Sequence, residues 1–124
     1  MKHILLLTTG GTIASRPTEE GLAPGLDGAT LSALTRHFPL LSENYALTVR
    51  DILHLDSSNI QPEEWQLIAR AVHDQRAAYD GVVITHGTDT MAYTASVLSF
   101  MLRGIEIPVV LTGSQLPIEH PLTD

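Results

Sequence analysis

Cysteine is absent from this chain. That excludes disulfides and thiolate metal sites, and it carries no information about compartment. Basic residues are scarce, seven Lys and Arg against fourteen Asp and Glu, for a formal net charge of −7. A nucleic-acid partner needs a cationic footprint that this composition does not supply, and an anionic membrane surface would repel the chain. Long apolar runs are also missing. Nothing approaches the ~18–20 residues of a membrane span. The four apolar residues at positions 4–7 fall short of the roughly 7–15-residue core of a secretory leader. The six histidines show no H-E-x-x-H or other ligand spacing, so no metal is expected. The expectation is a soluble, intracellular protein with no membrane or nucleic-acid partner.

What is present is one domain's worth of chain: 124 residues, 44% apolar and 17% charged, enough to bury a core. Its organising stretch is HILLLTTGGTIAS at residues 3–15. Ile4, Leu5, Leu6 and Leu7 form a continuous apolar run, as in a central parallel strand buried on both faces. The run ends in Thr8, Thr9, Gly10, Gly11 and Thr12. Adjacent glycines admit positive φ and close approach of another group. Thr12 then reads in two ways, as a nucleophile or substrate clamp at the carboxyl end of a strand, or as a helix cap after a tight turn. A phosphate cradle is disfavoured, because the lysine of G-x-x-x-x-G-K-S/T and the third glycine of G-x-G-x-x-G are both missing. No cofactor is expected.

Residues 16–28, RPTEEGLAPGLDG, read as a long loop, either a functional lid or a passive surface excursion. Residues 29–38 suit a short helix stopped by Pro39. Residues 45–55 suit a second strand, ending in Asp56, Ser57, Ser58 and Asn59. Pro62, Glu63 and Glu64 open a helix whose apolar stripe is Trp65, Ile68, Ala69 and Val72, reaching about residue 78. Val82 to Thr85 form a third strand, ending in His86, Gly87, Thr88, Asp89 and Thr90. Residues 89–103 form a helix apolar nearly all round, implying packing on the sheet and on another domain or subunit. Gly104 suits its C-terminal cap. Val109, Val110 and Leu111 form a fourth strand, ending in Thr112, Gly113, Ser114 and Gln115. Alternating strands and helices imply an α/β fold, a three-layer αβα sandwich on a parallel sheet of the flavodoxin or Rossmann kind.

A parallel sheet sets all four polar strand ends on one edge. Such a pocket suits a small zwitterion: hydroxyls and amides for a carboxylate, Asp89 for an ammonium. Thr12 would face the ligand's carbonyl, which suggests acyl transfer through a threonine ester with neighbouring N–H groups as oxyanion donors. Asp89 also reads as a helix cap, and His86 as a buried, hydrogen-bonded side chain. Glu19 and Glu20 read as a solvated patch, and Tyr93 and Met91 as packing residues.

T-T-G-G-T-I-A-S at residues 8–15 and H-G-T-D-T-M-A-Y-T-A at residues 86–95 resemble the two signatures of bacterial-type L-asparaginases, the asparaginase/glutaminase family. D-S-S-N at 56–59 and T-G-S-Q at 112–115 match in order and spacing. The resemblance covers essentially the whole chain and, with no leader visible, is to the cytoplasmic type. It implies that residues 1–124 are the N-terminal domain of a two-domain protein whose C-terminal domain, with a lysine partner for the second threonine and acid, lies outside this chain. It implies hydrolysis of L-asparagine, or L-glutamine, to the acid and ammonia by a homodimer or homotetramer. Thr12 would be the nucleophile and Thr88 the second essential threonine. Asp89 would bind the α-ammonium and Ser57 the α-carboxylate, with Ser58 lining the pocket. Gly11 and Thr88 would supply oxyanion N–H groups. One departure stands out: residues 16–28 contain no tyrosine, and Leu22 stands where many family members carry one near the nucleophile. Two further readings stay open, an amidase subunit of a tRNA-dependent amidotransferase and a non-catalytic amino-acid-binding domain.

Overall fold

Strand β1, Lys2–Thr8, lies inside the sheet because Leu5, Leu6 and Leu7 each need cover, on alternating faces; they are 0%, 6% and 0% exposed. The computed structural model describes residues 1–10, 15–18, 21–24, 36, 39–116 and 120–122. Two short strands, β2 (Ser15–Thr18) and β3 (Gly21–Pro24), pair antiparallel, with Ser15 opposite Pro24 and Thr18 opposite Gly21. The sequence leads one to expect a loop without secondary structure over residues 16–28; instead that segment carries most of this pair. Neither strand has an apolar alternation to announce it. Pro17 sits within a separate two-stranded ribbon, an edge position that tolerates its missing N–H.

Strands β4 (Tyr45–Asp51), β5 (Gly81–Thr85) and β6 (Val109–Thr112) complete a four-stranded parallel sheet in the order β4-β1-β5-β6. Helices α1 (Pro39–Asn44), α2 (Pro62–Gln75) and α3 (Met91–Met101) connect them. Leu5, Leu7, Val82 and Ile84 point to one face, where Ile68 and Val72 of α2 and Leu98 of α3 meet them with Leu102. Burying each such side chain is worth about 1.5–3 kcal/mol. Asp80 aligns the strand starts: its carboxylate accepts from the His3 N–H at 2.8 Å, and its own N–H donates to the His3 carbonyl at 2.8 Å.

Several element ends differ from expectation. Pro39, expected to stop a helix, opens one: α1 begins on it, a position where the missing N–H is no loss. The expected helix at 29–38 lies outside the described residues except for Arg36, which is helical. Strand β4 stops at Asp51, not residue 55. The Thr8 carbonyl takes the N–H groups of both Ile52 and Leu53, at 3.0 and 3.3 Å, which ends regular pairing. Helix α2 stops at Gln75, and the chain to Ala78 continues as turns closed by Arg76 N–H to His73 O and Ala78 N–H to Gln75 O. Helix α3 spans 91–101, short of the expected 89–103, and Gly104 follows with φ of 77°. That helix buries Thr94 and Leu98 but leaves Tyr93 and Phe100 67% and 74% exposed. Within the described residues it is therefore covered on one side only, and Tyr93 is not a packing residue there. Met91 is half-buried.

Candidate functional site

Because β1, β4, β5 and β6 are parallel, their four polar ends do share one edge. The ends are then joined to each other by glycines and threonines. Thr8 Oγ1 donates to Asp51 Oδ1, tying β1 to β4. Thr9 Oγ1 donates to the Thr85 carbonyl at 2.7 Å, tying β1 to β5. Gly10 follows with φ of 102°, and a Cβ there would stand 2.5 Å from the Leu55 carbonyl oxygen. Leu55 N–H donates to Thr9 O at 3.0 Å. Glycine at this position is what lets the chain after β4 lie directly on the turn after β1.

That chain then makes a one-turn 3₁₀ helix, Ser57–Asn59, capped by Asp56, whose Oδ1 accepts from Ser58 N–H at 3.1 Å. Ser57 is buried and its carbonyl accepts from Thr90 Oγ1 at 2.8 Å. Gly87 lies against it so closely that a Cβ would be 2.6 Å from Ser57 Oγ. On the other flank, His86 N–H donates to Thr112 O at 2.9 Å. A Cβ on Gly113 would overlap the His86 carbonyl oxygen and come within 3.3 Å of Thr88 Cγ2.

The structure therefore brings together Ser57, the His86–Thr90 turn and the Gly113–Ser114 turn. Thr88 is half-buried among them. Ser58 and Asp89 are exposed, Ser58 on the outer side of the 3₁₀ turn and Asp89 at the entrance to α3. Ser114 is buried and folded onto its own turn, its hydroxyl donating to Leu116 O and accepting from Leu116 N–H. Gln115 is exposed. Gly11, Thr12, Glu19 and Glu20 lie outside the described residues. Leu22 lies in β3, its backbone paired opposite Pro17. Among the described residues, no group of three or more His, Asp or Glu side chains is placed to hold a metal, and no helix is long and apolar enough to cross a membrane.

His86 is 2% exposed and fully engaged, as expected of a buried, hydrogen-bonded histidine. Its Nδ1 lies 2.7 Å from Gly87 O and its Nε2 2.9 Å from Thr94 Oγ1. Trp65 Nε1 donates to that same Thr94 oxygen at 2.7 Å. The helical stripe makes Trp65 an apolar contact and gives Thr94 no role. The available signal is Thr94 itself, a hydroxyl on the core-facing side of α3, in line with Leu98 and Leu102.

A parallel α/β sheet whose hydroxyl-bearing strand ends meet at one carboxyl edge places the chain in the class of open α/β folds. The chain belongs to the asparaginase family, matching the family model "Asparaginase, N-terminal" over residues 3–124. It is 52% identical over 124 residues to an L-asparaginase of Thermococcus kodakarensis, covering 98% of this chain and 36% of that protein. It is 42% identical over 129 residues to L-asparaginase 1 of Escherichia coli, covering 99% and 37%. A subunit of the glutamyl-tRNA(Gln) amidotransferase of Thermoplasma acidophilum is 40% identical over 129 residues, covering 99% and 30%. In three dimensions the chain superposes on the thermostable T. kodakarensis L-asparaginase with a TM-score of 0.85 at 51% identity, covering 98% and 37%. The value for L-asparaginase I of Vibrio cholerae is 0.88 at 38% identity, covering 99% and 37%. The chain thus spans about a third of the length of these relatives.

Proposed function

We propose that this chain is the nucleophile-bearing part of an amidohydrolase that converts L-asparagine to L-aspartate and ammonia. Family membership and the interlocked D-S-S-N and H-G-T-D turns support this reading, and the observation that carries it is the contact of Gly87 with Ser57, clamped by the Thr90–Ser57 hydrogen bond. Thr12 Oγ attacks the side-chain amide carbon. The tetrahedral oxyanion accepts from the N–H groups of Gly11 and Thr88. Collapse breaks the C–N bond, and the amide nitrogen leaves as ammonia with the proton that Thr12 gave up. Water then hydrolyses the threonine ester. Ser57 binds the α-carboxylate and Asp89 the α-ammonium, a charge-assisted contact. Ser58 lines the pocket, and Thr88 also directs its hydroxyl to the oxyanion or the attacking water. A C-terminal domain from the remainder of the polypeptide, and a homodimer or homotetramer, complete this reading.

The test is ammonia release from L-asparagine by the full-length polypeptide and by Thr12→Ala. Removing the attacking hydroxyl closes the covalent route, so activity falls by several powers of ten. Full activity in the variant refutes the role. A second reading is favoured by the amidotransferase relative at 40% identity: the same amide chemistry serving a tRNA-dependent partner. Glutamine-dependent amidation of a charged tRNA in the presence of a partner protein would establish it. The acidic balance of this chain weighs against direct tRNA contact.

A further inference from the structure

With a neutral imidazole, the Trp65–Thr94–His86 chain has one consistent direction. The Gly87 carbonyl can only accept, so the ring proton of His86 is on Nδ1. The indole N–H of Trp65 can only donate, so Thr94 Oγ1 accepts from it and sends its own proton to His86 Nε2. Every group is satisfied with a single ring proton. Thr94 and His86 are 0% and 2% exposed, so water does not compete for these bonds. The chain ends on the carbonyl of the Gly87–Thr88 peptide. A trans peptide is planar and carries its C=O and N–H in opposite directions. Holding the Gly87 carbonyl therefore fixes where the Thr88 N–H points, away from the imidazole. Among the described residues nothing accepts from that N–H.

We infer that Trp65, Thr94 and His86 are positioning residues: their hydrogen-bond chain sets the plane of the Gly87–Thr88 peptide and aims the Thr88 N–H at the oxyanion. This rests on the amidohydrolase reading above. Glycine at 87 leaves room for such a device. Its lack of a Cβ admits Ser57 but leaves the peptide plane with little side-chain restraint of its own. The interaction serves charge that develops only in the transition state, so its loss acts on kcat more than on KM.

The experiment uses the full-length polypeptide. Thr94→Val keeps the shape and removes the hydroxyl; kcat for L-asparagine falls roughly ten- to a hundredfold, the scale of a small misplacement at a reacting centre, while KM stays within about twofold. Thr94→Ser restores the hydroxyl and returns kcat to within about threefold of wild type. Nitrogen-15 NMR of the wild type shows the His86 proton on Nδ1 and an unprotonated Nε2. The Thr88 amide resonance moves in Thr94→Val and returns in Thr94→Ser. Wild-type kcat in Thr94→Val, an unmoved Thr88 amide, or the proton of His86 on Nε2 would overturn the inference. If wild type releases no ammonia from L-asparagine or L-glutamine, the amidohydrolase reading fails first, and a wild-type His86 proton on Nε2 still sinks the relay on its own. Should Thr94→Val fail to fold, the same wild-type tautomer measurement decides it.

Discussion

Two glycines of the same conformational class do different work. Gly10 and Gly104 both have positive φ, 102° and 77°. Around Gly104 an added Cβ meets nothing within 4 Å, whereas at Gly10 it meets the backbone of Leu55 at 2.5 Å. Gly104→Ala should therefore cost only backbone strain, about 1–2 kcal/mol. Gly10→Ala should cost that plus the displacement of Leu55, a further 1–3 kcal/mol or so on the scale of overpacking. Urea unfolding of the two variants measures the difference, and equal midpoints would show that the β1 turn does not press on the chain after β4. Gly87→Ala should cost the overpacking part alone, about 1–3 kcal/mol, because a Cβ there stands 2.6 Å from Ser57 Oγ while its φ is not positive. It should also impair turnover, since it parts the two turns that carry the proposed substrate contacts. At this scale the sequence is informative about identity but not about partnership. H-G-T-D-T announces His86, Thr88 and Asp89 as a group. That His86 bonds to Thr94, and Trp65 to the same hydroxyl, depends on how α2 and α3 pack together, which no local pattern encodes.

Elements are legible in proportion to their periodicity. Helix α2 has a proline in its first turn, acidic residues behind it and a clear stripe; its start falls where these signals put it, and Glu64 caps the Gln61 N–H at 2.9 Å. The parallel strands are legible as apolar runs, with ends shifted by a few residues where the turn after β1 captures backbone donors. The ribbon of β2 and β3 is illegible because eight residues containing two prolines and a glycine show no strand pattern. Helix α3 shows the limit of composition. It is apolar on most sides, yet packs on the core through Thr94 and Leu98 and leaves Tyr93 and Phe100 outward. The core-facing side carries a prediction. Leu98→Ala, at 3% exposure, should destabilise by about 2–5 kcal/mol. Ile68→Ala on α2, at 0%, should do the same. Thermal or urea unfolding of the full polypeptide checks both, and a loss below about 0.5 kcal/mol, the ordinary size for a surface change, would mean that α2 and α3 do not seal this face of the sheet.

At the scale of the whole molecule, the site exists only when distant segments meet. Thr9 bonds to Thr85 across 76 positions, Thr8 to Asp51 across 43, and Trp65 to Thr94 across 29. Ligand binding must then draw on the same free energy that closes the sheet, and a ligand of the folded state must stabilise it by mass action. This separates binding from turnover. In the Thr12→Ala polypeptide the substrate contacts proposed for Ser57 and Asp89 remain while the attacking hydroxyl is gone. L-Asparagine should persist unhydrolysed and raise the unfolding free energy by about 2.7 kcal/mol at a hundredfold excess over its dissociation constant. Asp89→Ala loses the proposed partner of the α-ammonium, so the same concentration should give much less stabilisation. Thermal unfolding with and without L-asparagine, run beside ammonia release, reads both. Stabilisation of wild type without ammonia would convert the domain into an amino-acid-binding module. Stabilisation of wild type and Asp89→Ala alike would remove Asp89 from the site. No stabilisation of Thr12→Ala would mean that the polar edge of the sheet, however well assembled, does not hold this substrate.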